Sequence, residues 1–390
     1  MNKIALYNYI RSKYPKAFGI RRKLQRIKIQ RLKSRLLNKD IVYSCENKQL
    51  NISELVSDRN NRKTINSISF EMEDMISNCK DCGLAPDDIR DDISFCRLAY
   101  GFLPSEYYGF ELYNKSAKQR KAYMSDIDTY VFGYMVNDIS FMQKVIDKGQ
   151  SVDLFGYLYK RDYIVIEKKS DYSKFASFIK THPTFVMKYT NSCMGKNIDK
   201  VDINRLPNSV YEFFLSAIAK GKWLIEELVV QSSKLSVFNS SSVNTIRVIT
   251  FRTNKGIIVP WCFMRVGRKG SFVDNGGAGG ILIGIDPLTG ILNTDGYDEH
   301  NYKYDKHPDS KVIFRGYQIP EWDTMLNICK RAAEKEPLMG YLSWDMAYTD
   351  EGWKVIEVNG IGQLIGPQIV YKKGIKRDII NYLQIMDKMV

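Results

Sequence analysis

Residues 341–359, YLSWDMAYTDEGWKVIEVN, read as two adjacent strands that carry oxygen ligands to one point. YLSWDMAY and WKVIEV are short runs rich in β-branched and aromatic residues, and Thr349-Asp350-Glu351-Gly352 between them is a turn cluster ending in glycine. The pattern predicts a hairpin. Side chains alternate along a strand, so Glu357 and Asn359 share a face, and a hairpin register can bring Asp345 opposite them. Two carboxylates and an amide oxygen then occupy one small volume. A set of few, hard oxygen donors suits Mg²⁺ whose shell is completed by phosphates. The alternative reading is a surface hairpin with its acids in solvent, so the rest of the chain has to supply the partners of such a site.

The chain has 390 residues, enough for two or three domains. With 44% hydrophobic and 26% charged residues its composition is that of a soluble globular protein, and no apolar run approaches the ~18 residues of a spanning helix. The start, MNKIALYNYIRSKYPK, lacks the apolar core and small-residue cleavage site of a signal peptide, so the expected location is cytoplasmic. The seven cysteines are odd in number and scattered, as befits reduced thiols; the lone Cys79-x-x-Cys82 has no second pair to complete a zinc site.

The net charge of +14 is concentrated at one end. Residues 1–40 hold thirteen Lys and Arg against the single acid Asp40, leaving 45 bases and 43 acids in residues 41–390. Leu24, Ile27, Leu32 and Leu36 recur at near-helical spacing among the bases, which predicts a basic amphipathic helix. Such a helix lies on an anionic membrane surface at the inner face of the membrane, grips a polyanion, or covers the protein body with its bases solvated. No nucleic-acid module follows it, so nucleic acid is not an expected partner.

The expected organisation is a basic segment (1–40), a helical cap (41–136) and an α/β or α+β catalytic body (137–390) with a hinge near 223–231. FEMEDMISNC and PDDIRDDISFCRLAYGF carry helical apolar spacing, with Pro86 opening the second and Gly101 closing it. The aromatic density between Tyr100 and Tyr134 reads as core packing. After Asn137-Asp138, strands are expected at 163–167, 184–188, 223–230, 244–252, 256–266, 280–285 and 312–314, and helices at 172–180, 209–220, 320–334 and 376–389.

Four segments of the body add chemistry. FVMK (185–188) ends a strand in Lys188 and runs into a small-residue loop closed by Gly195 and Lys196, where backbone N–H groups and two ammonium groups suit a polyphosphate. WLIEELVVQ (223–231) sets Glu226 and Glu227 within an apolar strand. Either backbone groups around Glu227, Leu228 and Val229 meet a nucleotide base, or this is an edge strand with a solvated acidic step. NTIRVI places Arg247 on the face of Thr245 and Ile249, and Arg265 closes the next strand. DNGGAGG then offers Asp274, Asn275 and four glycines, which permit close backbone approach to a ligand. The three histidines form no triad and no zinc motif, and GxSxG is absent.

Taken in order, these segments resemble the ATP-grasp superfamily: Lys188 before Gly195 and Lys196, the EELV hinge (226–229), NTIR (244–247), Arg265 with Asn275 and Gly279-Gly280, and Asp345…Glu357-x-Asn359. With DNGGAGGI, IDPLTG and EVNGIGQLIGPQ, the chain is similar to the sugar-transfer-associated ATP-grasp family of polysaccharide biosynthesis over about residues 95–372. The sequence departs from that pattern in two places. Ile139 follows Asn137-Asp138 where many members have a lysine. Ser343 precedes Asp345 by two where some ligases have an arginine.

The resemblance implies an α+β ATP-grasp fold of two subdomains clasping ATP. It also implies ATP- and Mg²⁺-dependent ligation of a carboxylate to an amine through an acyl phosphate. Asp345, Glu357 and Asn359 would hold one or two Mg²⁺; Lys188, Gly195, Lys196, Asn275 and the 226–229 hinge would hold ATP; Arg247 and Arg265 would act on the developing charge. Carboxylate and amine substrates drawn from surface-glycan precursors are the expected partners. A nucleotide-binding accessory protein of a glycan-assembly complex and a phosphotransferase acting on a small acceptor stand as alternatives.

Overall fold

The computed structural model describes residues 59–79, 82–190, 198–276 and 279–386. The basic segment 1–40 and the loop residues Gly195 and Lys196 lie outside the described residues.

Helices come first: α1 (Arg59–Asn66), α2 (Ser69–Asn78), α3 (Pro86–Tyr100), α4 (Pro104–Gly109), α5 (Ala117–Arg120) and α6 (Asp126–Val136). Pro86 opens α3, where a missing N–H costs nothing, and Gly101 ends it in the left-handed conformation at φ 83°. The aromatic run packs as a core: Tyr100, Phe102, Tyr107, Tyr108, Phe110 and Tyr123 are buried together with Ile369 from the far end of the chain. Two more helices follow, α7 (Ile139–Ile146), capped by Asp138, and α8 (Lys148–Tyr159), capped by Asp147. Both fall between the expected cap and the first expected strand, and their apolar residues recur at helical spacing: Ile139, Met142 and Val145 in α7, Val152, Phe155 and Tyr159 in α8.

A four-stranded antiparallel sheet has the order β1-β4-β2-β3, with β1 (Tyr163–Ile166), β2 (Thr184–Tyr189), β3 (Ile198–Asp202) and β4 (Trp223–Glu227). Helices α9 (Tyr172–Thr181) and α10 (Val210–Lys220) cover one face over a core of Phe175, Phe178, Phe185, Phe214, Met187 and Ile225. Alternation therefore turns Lys188 and Glu226, each next in sequence to one of those core residues, to the opposite face.

A seven-stranded antiparallel sheet follows, ordered β11-β10-β5-β6-β7-β8-β9. Its strands are β5 (Thr245–Thr253), β6 (Gly256–Val266), β7 (Ile281–Ile285), β8 (Leu292–Tyr297), β9 (Lys303–Tyr304), β10 (Tyr341–Thr349) and β11 (Gly352–Asn359). A short helix, α11 (Ser233–Ser236), precedes β5, and α12 (Trp322–Glu334) precedes β10. Trp344, Met346, Val248, Cys262, Met325 and Cys329 share one buried cluster on the α12 side. Helices α13 (Ile365–Val370) and α14 (Lys376–Ile385) follow the sheet.

The expected hairpin forms as β10 and β11. Gly352 takes φ 98°, a left-handed value that explains glycine at the turn's end. β10 is an interior strand, buried at every position, so the solvent-facing alternative does not hold. Strand 223–230 ends three residues early, at Glu227, and it lies between β1 and β2, which removes the edge-strand reading. The stretch 312–314 contributes only an isolated bridge, Lys306 to Ile313. Asn137 joins the helices to the hairpin: its Nδ2 donates to the carbonyls of Tyr341 (3.0 Å) and Gly360 (2.8 Å), and its Oδ1 accepts from Tyr341 N–H.

Candidate active site

The site grows from the register of three neighbouring strands. Asp345 on β10 lies opposite Glu357 on β11 and opposite Arg247 on β5. One pleat along β5, Thr245 is opposite Arg265 on β6, so both arginines lie on the face of Asp345. Asp345 is only 2% exposed. Arg247 grips it with two donors, Nε on Oδ1 and Nη2 on Oδ2 at 2.9 Å. Arg265 Nη2 reaches the same Oδ2 at 2.9 Å, while its Nε and Nη2 also donate to Thr245 Oγ1 at 3.0 and 2.9 Å. Thr245 in turn donates its hydroxyl to Asp274 at 2.5 Å and its N–H at 2.9 Å.

Burial alone would push Asp345 up, but the two guanidiniums outweigh it and hold the carboxyl below its usual range. For Asp274 burial wins over Arg265, and its carboxyl is raised. Burial would lower Arg265, yet Asp274, Asp345 and Glu357 raise it.

A second acid sits between two cations on the four-stranded sheet. Glu226, 1% exposed, receives Lys188 Nζ at 2.5 Å on Oε2 and Arg161 Nη2 at 2.5 Å on Oε1. Burial would raise its carboxyl; the two cations together lower it. Between the two sheets, Lys148 Nζ lies 3.2 Å from Glu357 Oε1. These contacts set five bases (Lys148, Arg161, Lys188, Arg247, Arg265) against four acids (Glu226, Asp274, Asp345, Glu357), in charge clusters on the two sheets that Arg161 links through β11. Such an arrangement suits a polyanion together with a cation: the acids have a cation to exchange for their present partners, and Lys148 and Lys188 have phosphate oxygens to take in return, while Arg161 stays bonded to β11.

The residues fit Mg²⁺. Glu357 faces Asp345, and Asn359 lies opposite Ser343, one pleat along from Asp345. Asn359 Nδ2 is buried with no hydrogen-bond partner among the described residues, as are Ser343 Oγ and Thr190 Oγ1. An unpartnered amide donor calls for an acceptor such as a phosphate oxygen, and the two hydroxyls can serve as donors or acceptors to a bound group. Among the described residues no group of three or more His, Cys, Asp or Glu is placed to hold a metal ion by itself. Two carboxylates and an amide instead suit a hard cation that shares its shell with phosphates.

The structure thus brings together Lys188, Glu226, Arg247, Arg265, Asp345, Glu357 and Asn359. Glu226 is not the solvated acid of an edge strand, because β4 is an interior strand and the side chain is clamped between Arg161 and Lys188. The N–H of Glu227 already donates to Asp162 O at 2.9 Å, so that group is spoken for. No backbone hydrogen bond among the described residues engages Leu228 or Val229, both half-buried just past the strand. Asn275 is placed through its backbone: its carbonyl accepts Gly280 N–H at 3.1 Å, and a Cβ on Gly280 would lie 2.2 Å from Asp274 O, so only glycine closes this loop.

Two site residues escaped the sequence reading. Lys148 opens α8 behind its N-cap Asp147 and pairs with Glu357; the signal was Asp147-Lys148, an N-cap aspartate followed by a base at the start of a helix. Arg161 sits in Lys160-Arg161-Asp162, a polar step with no outward sign of burial.

Residues 129–383 match the family model described as sugar-transfer associated ATP-grasp. Similar solved structures include purK, N5-carboxyaminoimidazole ribonucleotide synthetase, in its ADP complex (14% identity, 57% of this chain and 47% of that one, TM-score 0.37). The ATP-grasp ligase PsnB complexed with minimal precursor is another (14%, 62% and 63%, TM-score 0.37). A third is the D-alanyl-alanine synthetase A from Vibrio cholerae O1 biovar eltor str. N16961 (13%, 62% and 66%, TM-score 0.37). The chain spans about half to two thirds of the length of these structures. No curated protein matches it.

Proposed function

This chain belongs to the sugar-transfer associated ATP-grasp family, and from that premise we propose that it is an ATP-dependent carboxylate–amine ligase acting through an acyl phosphate. The observation that carries the reading is the strand register that sets Asp345 between Glu357 and Arg247, with Arg265 on the same face and Lys148 bonded to Glu357.

In this reading an oxygen of the acceptor carboxylate attacks the γ-phosphorus of ATP and the bond to the β,γ-bridging oxygen breaks, releasing ADP. The amine nitrogen then attacks the acyl carbon, phosphate leaves, the amine loses a proton, and an amide remains. Asp345, Glu357 and Asn359 would hold Mg²⁺, which when bound neutralises the β- and γ-phosphate oxygens. Lys188 and Lys148 exchange Glu226 and Glu357 for phosphate oxygens, and Lys196 would add a further ammonium group. Leu228 and Val229 present backbone groups to the adenine edge. Arg247 and Arg265, held by Asp345 and Thr245, stand on the side where negative charge develops on the acyl phosphate. No protein nucleophile is needed.

The finer proposal is a uronic acid of a glycan or glycan precursor joined to an amino acid or other amine, a reading supported by the family's association with sugar transfer. The test supplies ATP and Mg²⁺ with a uronic acid, with an amine, and with both, and follows ADP together with the mass of the product. Ligation requires ADP release only when both are present and a product carrying the amide. Stable phosphorylation of one acceptor alone selects the phosphotransferase. Nucleotide binding without turnover on any pair selects the accessory role.

A further inference from the structure

β11 contains an irregularity that the chemistry depends on. Trp353 and Val355 point into the core cluster, and Val355 is opposite Met346. In a regular strand Glu357, two residues on, would point the same way. It does not: Glu357 is opposite Asp345 on the site face, and Val358 takes the core position. The register shifts between Asp345 and Met346, leaving Ile356 as the extra residue of a bulge. The bulge is what turns Glu357 out of the core, in keeping with the general use of bulges to re-aim a side chain beside a site.

One side chain holds both residues of that bulge. Helix α8 ends at Lys160 in the left-handed conformation, φ 47°, and this turn sends Arg161 inward, its guanidinium over the Tyr159 ring at 4.5 Å. Arg161 Nη1 donates to Val355 O at 2.5 Å and Nη2 to Ile356 O at 3.3 Å, while Nη2 also bonds Glu226 at 2.5 Å. Its side chain is 1% exposed. The same guanidinium therefore touches the strand that presents Glu357 and the acid that holds Lys188.

We propose that Arg161 is a positioning residue that aims Glu357 by holding the β11 bulge and, through Glu226, ties that aim to the lysine on the nucleotide side. The proposal rests on the nucleotide and Mg²⁺ reading of this site. Lysine in its place keeps one charge for Glu226 but lacks the planar fork that reaches two carbonyls as well. Glutamine keeps donors for a carbonyl and removes the charge.

The test uses the full chain and binding rather than turnover. Calorimetry with the non-hydrolysable analogue AMP-PNP, without and with Mn²⁺, and electron paramagnetic resonance of Mn²⁺ at saturating AMP-PNP report the two sides separately. Arg161→Lys is expected to weaken Mn²⁺ by about 10–100-fold, the usual cost of losing an outer partner of a metal site, with metal-free AMP-PNP affinity close to wild type. Arg161→Gln is expected to do the reverse, weakening metal-free AMP-PNP more than Mn²⁺. If both variants bind Mn²⁺ and AMP-PNP as wild type does and only melt earlier, Arg161 is structural and the proposal fails while the site reading stands. If wild type itself binds neither, both fall together. Should Arg161→Lys not fold, Arg161→Gln carries the test; failure of both to fold makes Arg161 a folding residue and overturns the proposal.

Discussion

Asp345 and Glu226 are both buried acids held between two cations, yet the two constellations are built differently. Asp345 draws Arg247 from the strand directly opposite and Arg265 from the next strand over, so the whole cluster belongs to one sheet and its geometry follows from register. Glu226 draws Lys188 from the neighbouring β2, but its second partner, Arg161, comes from the turn after α8 and also holds β11 of the other sheet. The first cluster fixes a geometry within one sheet; the second joins two sheets. A buried ion pair contributes little net stability and much cost when half of it is removed, so the two should respond differently to the same kind of mutation.

The largest effect is expected at the hairpin. Glu357→Gln keeps the shape and a hydrogen bond for Lys148 but loses the charge that would hold the metal. Mg²⁺-dependent turnover should fall by at least about a hundredfold, beyond the 10–100-fold typical of outer partners, with the melting temperature nearly unchanged. Unaltered turnover at limiting Mg²⁺ would remove Glu357 from the site.

Asp345→Ala leaves two buried arginines facing each other and should cost about 3–5 kcal/mol in urea denaturation. A loss below about 1 kcal/mol, the range of exposed pairs, would mean that the arginines re-solvate and that the cluster is not fixed by register. The acid limb of stability tests the same point. Asp345 and Glu226 have carboxyls held below their unfolded values of 3.8 and 4.5, so their contribution is present above those values and is lost as pH falls through the folded ones. Asp274, raised by burial, acts oppositely: its contribution is present below 3.8 and is lost as pH rises through its folded value. Asp345→Asn should therefore flatten the loss of stability on acidification below about pH 4.

What the sequence disclosed follows from how local each feature is. The hairpin was legible because alternation and a glycine-ended turn lie within nineteen consecutive residues, 341–359, but the Asp345–Glu357 pairing also needs a register shift, since the turn's own register would set Ile356 opposite Asp345. The bulge at Ile356 was not, since nothing in WKVIEVN marks an extra residue; the side-by-side placement of Glu357 and Asn359 survived because both lie beyond it. Lys188 and Glu226 were each visible, but their pairing depends on β2 lying beside β4, a neighbourhood set by a crossover and not by either strand's pattern. Arg161 and Lys148 were invisible for the same reason: a base in a polar step looks solvated until distant elements close over it.

Lys188→Ala sharpens the comparison from the other cluster. A lysine at a strand end beside a loop suggests a solvated group whose loss leaves stability alone. Here it is buried on Glu226, but Arg161 remains to neutralise that acid, so the fold should lose less than with Asp345→Ala. Nucleotide binding should weaken by about 10–100-fold, from the ~1.5–3 kcal/mol of a hydrogen bond to a charged group. A nucleotide-induced thermal shift equal to that of wild type would assign Lys188 to the ion pair alone.

The smallest effect on either cluster is expected from deleting residues 1–40, because every described ligand candidate lies between Lys148 and Asn359. This segment carries nearly all of the net positive charge, and we propose that it attaches the protein to an anionic membrane surface. Each base near such a surface contributes about 1 kcal/mol, less as salt rises. The full chain should therefore co-sediment with phosphatidylserine-containing vesicles at low salt and be released at high salt, and the truncated chain should stay in solution with unchanged ATP turnover on soluble substrates. A segment that instead straps the helices would give little vesicle binding in the full chain and a marked fall in melting temperature on deletion. Loss of stability without any vesicle binding sinks the membrane reading, and a fall in turnover would extend the catalytic machinery beyond the two charge clusters compared above.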